Sequence, residues 1–191
     1  MIKCTTSIGK ASADQFAVST ADGSIILIGK DGRIVKKVTG AHHGAVISVK
    51  WNYDGSALVS AGEDGAVKTW SRVVRPRSTI AQTSSSIYSA VWGPDNDQIL
   101  FSSGHELLIK SDKKIGTKQL RWKAHDGVVM KVDWNPVHGL IVSCGEDCRY
   151  KVWDALGRQL YQSIPSDYVL TSIAWFANHY SIHDECKLTK K

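Results

Sequence analysis

The stretch that decides the fold is AHDGVVMKVDWNPVHGLIVSCGEDCRYKVWD, residues 124–154. It contains three short runs rich in β-branched and aromatic residues, separated by turn-forming Gly, Asn, Pro and Asp. The same pattern occurs 83 positions earlier, in AHHGAVISVKWNYDGSALVSAGEDGAVKTWS at residues 41–71. An internal repeat of this kind predicts a fold made of recurring units that stack on one another, because one such unit cannot bury its apolar face alone.

Four tryptophans extend the repeat along the rest of the chain. They are separated by 41, 42 and 41 positions, and each ends a short β-like run: Trp51, Trp92, Trp134 and Trp175. Weaker fourth runs lie at 33–38, 79–82, 118–122 and 159–162. Four short strands in about 40–45 residues are typical of a propeller blade, and no window has a sustained helical period. The sequence therefore predicts an all-β fold, a β-propeller.

The copies are unequal, so we expect an incomplete propeller with about three full blades and a partial blade at each end. The predicted segments are 1–32 (partial blade), 33–77 (blade), 78–118 (degenerate blade), 119–158 (blade), 159–176 (partial blade) and 177–191 (a polar tail outside the propeller). The degenerate blade has Ser102 but no His in the matching loop, and Lys110 falls where Trp is expected. We expect it to open more easily than its neighbours.

Two sets of four polar residues recur at a spacing of 83: His42, Ser60, Asp64 and Trp70, and then His125, Ser143, Asp147 and Trp153. These motifs resemble the WD repeat, which gives the predicted fold its family, the WD-repeat β-propeller. The resemblance implies that each set forms a hydrogen-bonded chain inside its blade. Such a chain is physically reasonable, because a buried indole, hydroxyl, imidazole and carboxylate each need a partner and can satisfy one another.

The same residue types could suggest a hydrolase or a metal site, but the spacing favours neither. The two serines lack the Gly-x-Ser-x-Gly turn that exposes a nucleophile. Cys144 and Cys148 flank a turn close to the second set, yet two thiols without a second pair are a weak zinc signal. We therefore predict no catalytic, cofactor-binding or metal-binding residues and no small-molecule substrate.

The composition limits the classes of partner and the compartment that we expect for this chain. The 191 residues include 24 Lys and Arg against 18 Asp and Glu, a net charge of +6. The basic residues form short doublets and one loose cluster at 72–77, not the concentrated stripe that phosphate binding requires, so nucleic acid is not expected. No run approaches the roughly 20 apolar residues of a membrane span, so membrane insertion is not expected. Residues 1–7 lack the apolar run of a secretory signal, so none is expected there. Four scattered cysteines indicate a reducing compartment.

Individual runs are more specific than the repeat. The segments 50–59, 62–71, 88–95 and 120–127, and above all GEDCRYKVWD at 145–154, resemble the N-terminal propeller of the eighty-kilodalton intraflagellar transport subunit family. The similarity extends from about residue 16 to residue 175. It implies a non-catalytic scaffold of the intraflagellar transport B complex, with other complex B subunits as partners. The implied locations are the cilium, the ciliary base and axoneme, and a cytoplasmic pool. That family carries two propellers and a helical tail, so a truncated form is implied.

Two other classes stay open. One is a generic WD-repeat adaptor, such as a ubiquitin-ligase substrate receptor. Those receptors often carry Arg two residues after the Trp-Asp pair, whereas Leu156 holds that place here and Trp70 is followed by Ser71. The other is an enzyme with its active site at the propeller channel, which would need converging polar residues that the sequence does not locate.

An open arc of blades should leave two end faces uncovered. Since a propeller protects its strand edges and blade faces by closing its ring, we expect the purified chain to self-associate, aggregate or require a partner. We also expect that it does not replace a full-length subunit in ciliary transport. Sedimentation at micromolar concentration tests the first point. A stable, cooperatively folding monomer that also restores cilia would contradict both.

Overall fold

The computed structural model describes residues 3–5, 14–112 and 119–176, and the regular structure in these residues is entirely β-strand. Within these residues, sixteen strands form four antiparallel sheets of four strands each, and in every sheet the strands are neighbours in chain order. The described part of the chain is therefore an open, incomplete β-propeller, which confirms the predicted all-β propeller fold.

The strands follow the runs that the sequence marks. The first sheet contains β1 (Lys3–Thr5), β2 (Gln15–Ser19), β3 (Ile25–Gly29) and β4 (Ile34–Val38). The second contains β5 (Val46–Trp51), β6 (Ala57–Gly62), β7 (Ala66–Ser71) and β8 (Pro76–Gln82). The third contains β9 (Ala90–Trp92), β10 (Gln98–Ser103), β11 (Glu106–Ser111) and β12 (Leu120–Lys123). The fourth contains β13 (Val129–Trp134), β14 (Ile141–Gly145), β15 (Tyr150–Trp153) and β16 (Gln159–Gln162).

The sheets are offset from the sequence repeats. Strand β4 lies in the predicted segment 33–77, yet it pairs with β3 and so belongs to the first sheet. The reason is local: the turn between them is tight, with the Gly29 N–H donating to the carbonyl of Arg33 (2.9 Å) and Gly32 at a φ of 78°. A strand that follows so short a turn pairs with its predecessor. The first sheet has four strands as a result, where the sequence predicted a partial blade.

The apolar core lies between consecutive sheets. Ile25 and Leu27 alternate with half-buried residues along β3, so one face of the first sheet packs against Val49 and Leu58 of the second. A second cluster joins the second and third sheets through residues that include Val59, Ile87 and Phe101. A third joins the third and fourth sheets: Leu100, Leu107, Ile109, Val132, Trp134 and Trp153 are among its members.

Polar contacts between neighbouring sheets recur with the repeat. The Ser48 hydroxyl donates to the carbonyl of Ala90 at 3.5 Å, and the Ser89 hydroxyl donates to the carbonyl of Val132 at 3.4 Å. The Trp175 N–H donates to the Asp133 carboxylate at 2.8 Å, so the three pairs are 42, 43 and 42 positions apart. Residues 170–175 thus lie beside β13 where a further blade would begin. They form no strand, however, because no described segment pairs with their backbone. The predicted tail 177–191 lies outside the described residues.

Candidate functional site

The first polar set lies within the second sheet and the loop that precedes it. The indole N–H of Trp70 on β7 donates to the Ser60 hydroxyl on β6 at 2.8 Å. The same oxygen lies 2.7 Å from Nε2 of His42, and Nδ1 of that ring lies 2.8 Å from the Asp64 carboxylate. With the indole as a donor, the direction of the chain follows: the Ser60 hydroxyl donates to His42 Nε2, and His42 Nδ1–H donates to Asp64.

The second set repeats this geometry in the fourth sheet. Trp153 donates to the Ser143 hydroxyl at 2.9 Å, and that oxygen lies 2.7 Å from Nε2 of His125. Nδ1 of His125 lies 2.8 and 2.9 Å from the two carboxylate oxygens of Asp147. Both serines, both histidines and both indoles are buried. All eight residues singled out by the sequence therefore lie in two continuous hydrogen-bonded chains.

The carboxylates hold the loops as well as the histidines. Asp64 accepts hydrogen bonds from the backbone N–H groups of His43 (3.0 Å) and Ala66 (3.1 Å), which tie the incoming loop to the β6–β7 turn. Gly62 leaves room for the imidazole, since a Cβ at that position would lie 2.7 Å from His42 Nδ1. A side chain there would push His42 out of line.

Burial lowers the pKa of His42 below its ordinary value of 6.5, although the hydrogen bond from its ring to Asp64 acts in the opposite direction. Burial likewise lowers the pKa of His125 despite its bond to Asp147. Burial alone would raise the pKa of Asp64, but the hydrogen bonds that it accepts from His42, His43 and Ala66 together lower it. The imidazoles are therefore neutral at pH 7, as the Nδ1–H tautomer requires.

Sequence reasoning missed two further pairs that recur at the same spacing. The Lys68 ammonium donates to the carbonyl of Ala41 at 2.6 Å, and Lys151 donates to that of Ala124 at 2.7 Å. Glu63 accepts from the N–H of Ala45 at 2.9 Å, and Glu146 does the same for Val128 at 3.0 Å. The signal was present, because each pair recurs 83 positions later. These bonds further fix the loops at 39–45 and 124–128.

The third sheet is built differently. The strand register pairs Leu100 with Ile109, as Leu58 pairs with Trp70, so the residue at the Trp position is Ile109 and not Lys110. The shift arises because the β10–β11 hairpin is shorter than its counterparts, with Ser103 paired directly to Glu106. The Ser102 hydroxyl accepts a bond from the backbone N–H of Ser89 at 3.2 Å. Apolar packing of Ile109 takes the place of the indole bond.

Tyr53, in the turn after β5, links the second, third and fourth sheets at the ends of their first strands, and no sequence pattern predicted this contact. Its hydroxyl donates to the carbonyl of Trp134 at 2.7 Å and lies 3.2 Å from that of Trp92. Its backbone N–H donates to the Asn96 side chain at 2.9 Å. The matching positions in the next two copies are Pro94 and Pro136, which cannot make this contact. Burial raises the pKa of Tyr53, so the hydroxyl remains a donor.

Neither polar set offers reactive chemistry to a substrate. Ser60 and Ser143 are fully buried, and each hydroxyl is already shared between an indole and an imidazole. Cys144 is buried in β14, where burial raises its pKa to about 12, and a neutral thiol is a poor metal ligand and nucleophile. Among the described residues no group of three His, Cys, Asp or Glu is placed to hold a metal ion.

A cavity of about 320 Å³ lies between β8 and the outer strands of the third sheet. Its charged groups already have partners. Lys110 donates to the carbonyl of Ile80 at 3.1 Å, and Arg121 donates to Glu106 at 2.8 Å. The cavity therefore presents paired charges and neutral polar side chains. In the part of the chain that the structure describes, no helix has the length and apolar character needed to cross a bilayer.

Comparison with known proteins supports the repeat pattern. The family model described as "WD domain, G-beta repeat" matches residues 32–71 and 116–154. The chain is 50% identical over 166 residues to "Intraflagellar transport protein 80 homolog" of Mus musculus, and equally to that of Rattus norvegicus. These alignments cover 87% of this chain and 21% of each relative, so the chain spans about a fifth of their length. It is 36% identical over 69 residues to "Cilia- and flagella-associated protein 57" of Mus musculus, covering 36% of this chain and 6% of that protein.

Replacing the shared hydroxyl should cost more in the polar sets than in the third sheet. Ser143→Ala leaves the Trp153 indole N–H and His125 Nε2 buried without a partner, at about 1–3 kcal/mol for each orphaned group. Ser60→Ala should behave alike. Ser102→Ala is the matched control, because it leaves a single buried group, the backbone N–H of Ser89, without its partner, and we expect about half the loss, about 1–3 kcal/mol in all. Urea denaturation measures all three, and equal losses would contradict the expected ranking.

The neutral histidines should make stability depend on pH. At pH 7 they are uncharged in both states, whereas below about 6.5 the unfolded chain takes up protons that the folded chain does not. Stability is therefore fully present above that pH and falls as the pH drops, by up to about 1.4 kcal/mol per unit for each histidine. Melting temperatures between pH 7 and 5 should show this loss. His125→Gln should flatten the slope by about half, and an unchanged slope would count against the mechanism.

Proposed function

Because the chain contains WD repeats and is related to intraflagellar transport protein 80 homologs, we propose that it is a non-catalytic scaffold of the intraflagellar transport B complex. In this role it contributes to cilium assembly and to transport along the axoneme by binding other complex B subunits. The proposed locations are the cilium, the ciliary base and axoneme, and a cytoplasmic pool. This chain spans about a fifth of the relative's length. That it shares the activity of the whole relative is therefore part of the same proposal.

One observation carries the proposal: half of the aligned residues are identical to those of the mouse and rat relatives, over 87% of the chain. The partial match to a second cilium-associated protein points to the same cellular setting.

The hydrogen bonds that hold the loops support a binding role for this chain. The hydrogen bonds of Asp64, Glu63 and Lys68 fix the loop at 39–45 to the second sheet, and Asp147, Glu146 and Lys151 do the same for the loop at 124–128. Loops held in one conformation can bind a partner without a large ordering cost. The serines and histidines of the two polar sets serve this internal framework and not hydrolysis.

Affinity capture from ciliated cells tests the proposal. The tagged chain should enrich intraflagellar transport proteins and accumulate in cilia, whereas a WD-repeat fragment of equal length from a protein without ciliary relatives should do neither. Enrichment of ubiquitin-ligase subunits in place of transport proteins would support the generic adaptor class and overturn the proposal.

A further inference from the structure

The turn between β7 and β8 presents two arginines without a counter-charge. Arg72 and Arg75 are exposed, and within residues 14–112 and 119–176 neither makes an ion pair. Val73 between them is 52% exposed. A turn that displays cations beside an apolar side chain has the character of a recognition surface.

The equivalent turn in the fourth sheet shows what is missing here. Asp154 follows the tryptophan there, and its carboxylate pairs with the guanidinium of Arg158 at 2.6 Å. Arg75 stands 83 positions before Arg158, but Ser71 stands where Asp154 does. The backbone hydrogen bonds of the two turns agree: the Ser71 N–H donates to the carbonyl of Arg75 at 2.9 Å, as the Asp154 N–H donates to the carbonyl of Arg158 at 3.0 Å. The same turn therefore leaves Arg75 available.

A strained residue holds this turn in one conformation. Val74 has a φ of 51°, which a β-branched side chain rarely adopts, and the equivalent residue of the fourth sheet is Gly157 with a φ of 80°. The Val74 side chain is 1% exposed and packs in the core between the first two sheets. Backbone strain of this size persists only where the surroundings impose it. Arg72 and Arg75 are thus presented by a fixed turn.

The first sheet extends the surface. The Lys36 ammonium on β4 donates to the carbonyl of Val73 at 2.9 Å, which places β4 beside the turn. Val35 is 55% exposed, and it leans over Gly29 on the face of the first sheet that Leu27 buries against the second. We define the basic turn surface as Val35, Lys36, Arg72, Val73 and Arg75. It has three positive charges and two exposed valines, and the outer edge of β4 beside it pairs with no described strand.

We propose that the basic turn surface binds an extended acidic segment of a partner protein, with acidic side chains on Arg72 and Arg75 and apolar side chains on the two valines. The free edge of β4 offers backbone groups to such a segment, as in recognition by strand addition. The occupant is a protein because three cations on a turn and a strand do not form the extended track that phosphates need, and because the valines give apolar contact. The choice of a protein rests on the proposed scaffold function.

The test uses the 191-residue chain and an eight-residue peptide that alternates Glu with Leu. We expect the peptide to bind, to bind more weakly as salt is raised, and to lose affinity by about tenfold or more with Arg72→Glu/Arg75→Glu. Ser71→Asp should also weaken binding, because it supplies Arg75 with the carboxylate that Arg158 has. Arg121→Glu/Lys123→Glu is the matched control: it makes the same change in net charge on β12 and should leave binding unchanged. Thermal melting confirms that each variant is folded.

Three outcomes would contradict the proposed binding surface. The peptide fails to bind, or the control variant weakens peptide binding as much as Arg72→Glu/Arg75→Glu does. In the third, phosphatidylserine vesicles or a single-stranded oligonucleotide bind in preference to the peptide. Affinity capture separates this proposal from the scaffold function. If the wild-type chain and Arg72→Glu/Arg75→Glu capture transport proteins equally well, partner binding by the basic turn surface is contradicted and the scaffold function is supported. If the wild-type chain binds the peptide but captures no transport proteins, the surface is supported and the scaffold function fails.

Discussion

The hydroxyl of a buried serine joins an indole, an imidazole and, through that ring, a carboxylate in two of the four sheets. Ser60 and Ser143 each accept from a tryptophan on the next strand and lie within 2.7 Å of a histidine in the loop before the sheet. Because the loop and the strands come from separate parts of the repeat, this one oxygen fixes the loop to the sheet. The carboxylates then bind the loop backbone, so the polar framework reaches the protein surface.

The third sheet shows that this framework is one of two ways to hold a blade. Its serine, Ser102, has no histidine or indole partner, and Ile109 packs where the tryptophan stands in its neighbours. That sheet lies between two others and contributes to an apolar cluster on each face, so burial from both sides supports it.

A repeated framework also lets equivalent surface positions diverge. The turns at 71–75 and 154–158 share their backbone hydrogen bonds, yet one carries a paired arginine and the other an unpaired one. The difference comes from a single position, Ser71 against Asp154, outside the buried set. Because Ser71 lies outside the buried set, a change at this position alters the surface charge and leaves that set intact.

The sequence by itself determined the strands, the period and the eight polar residues, because hydrogen-bond partners in a stacked repeat must recur at a fixed spacing. The tertiary structure decided which strands pair and which side chains meet across the sheets. Strand β4 joins the first sheet because a tight turn returns it to β3, and residues 170–175 form no strand because no described backbone meets theirs. Ile109 replaces Lys110 at the tryptophan position through hairpin length, and Tyr53 reaches carbonyls 39 and 81 positions away. The strained φ of Val74 is likewise imposed by the core that surrounds its side chain, which local sequence does not contain.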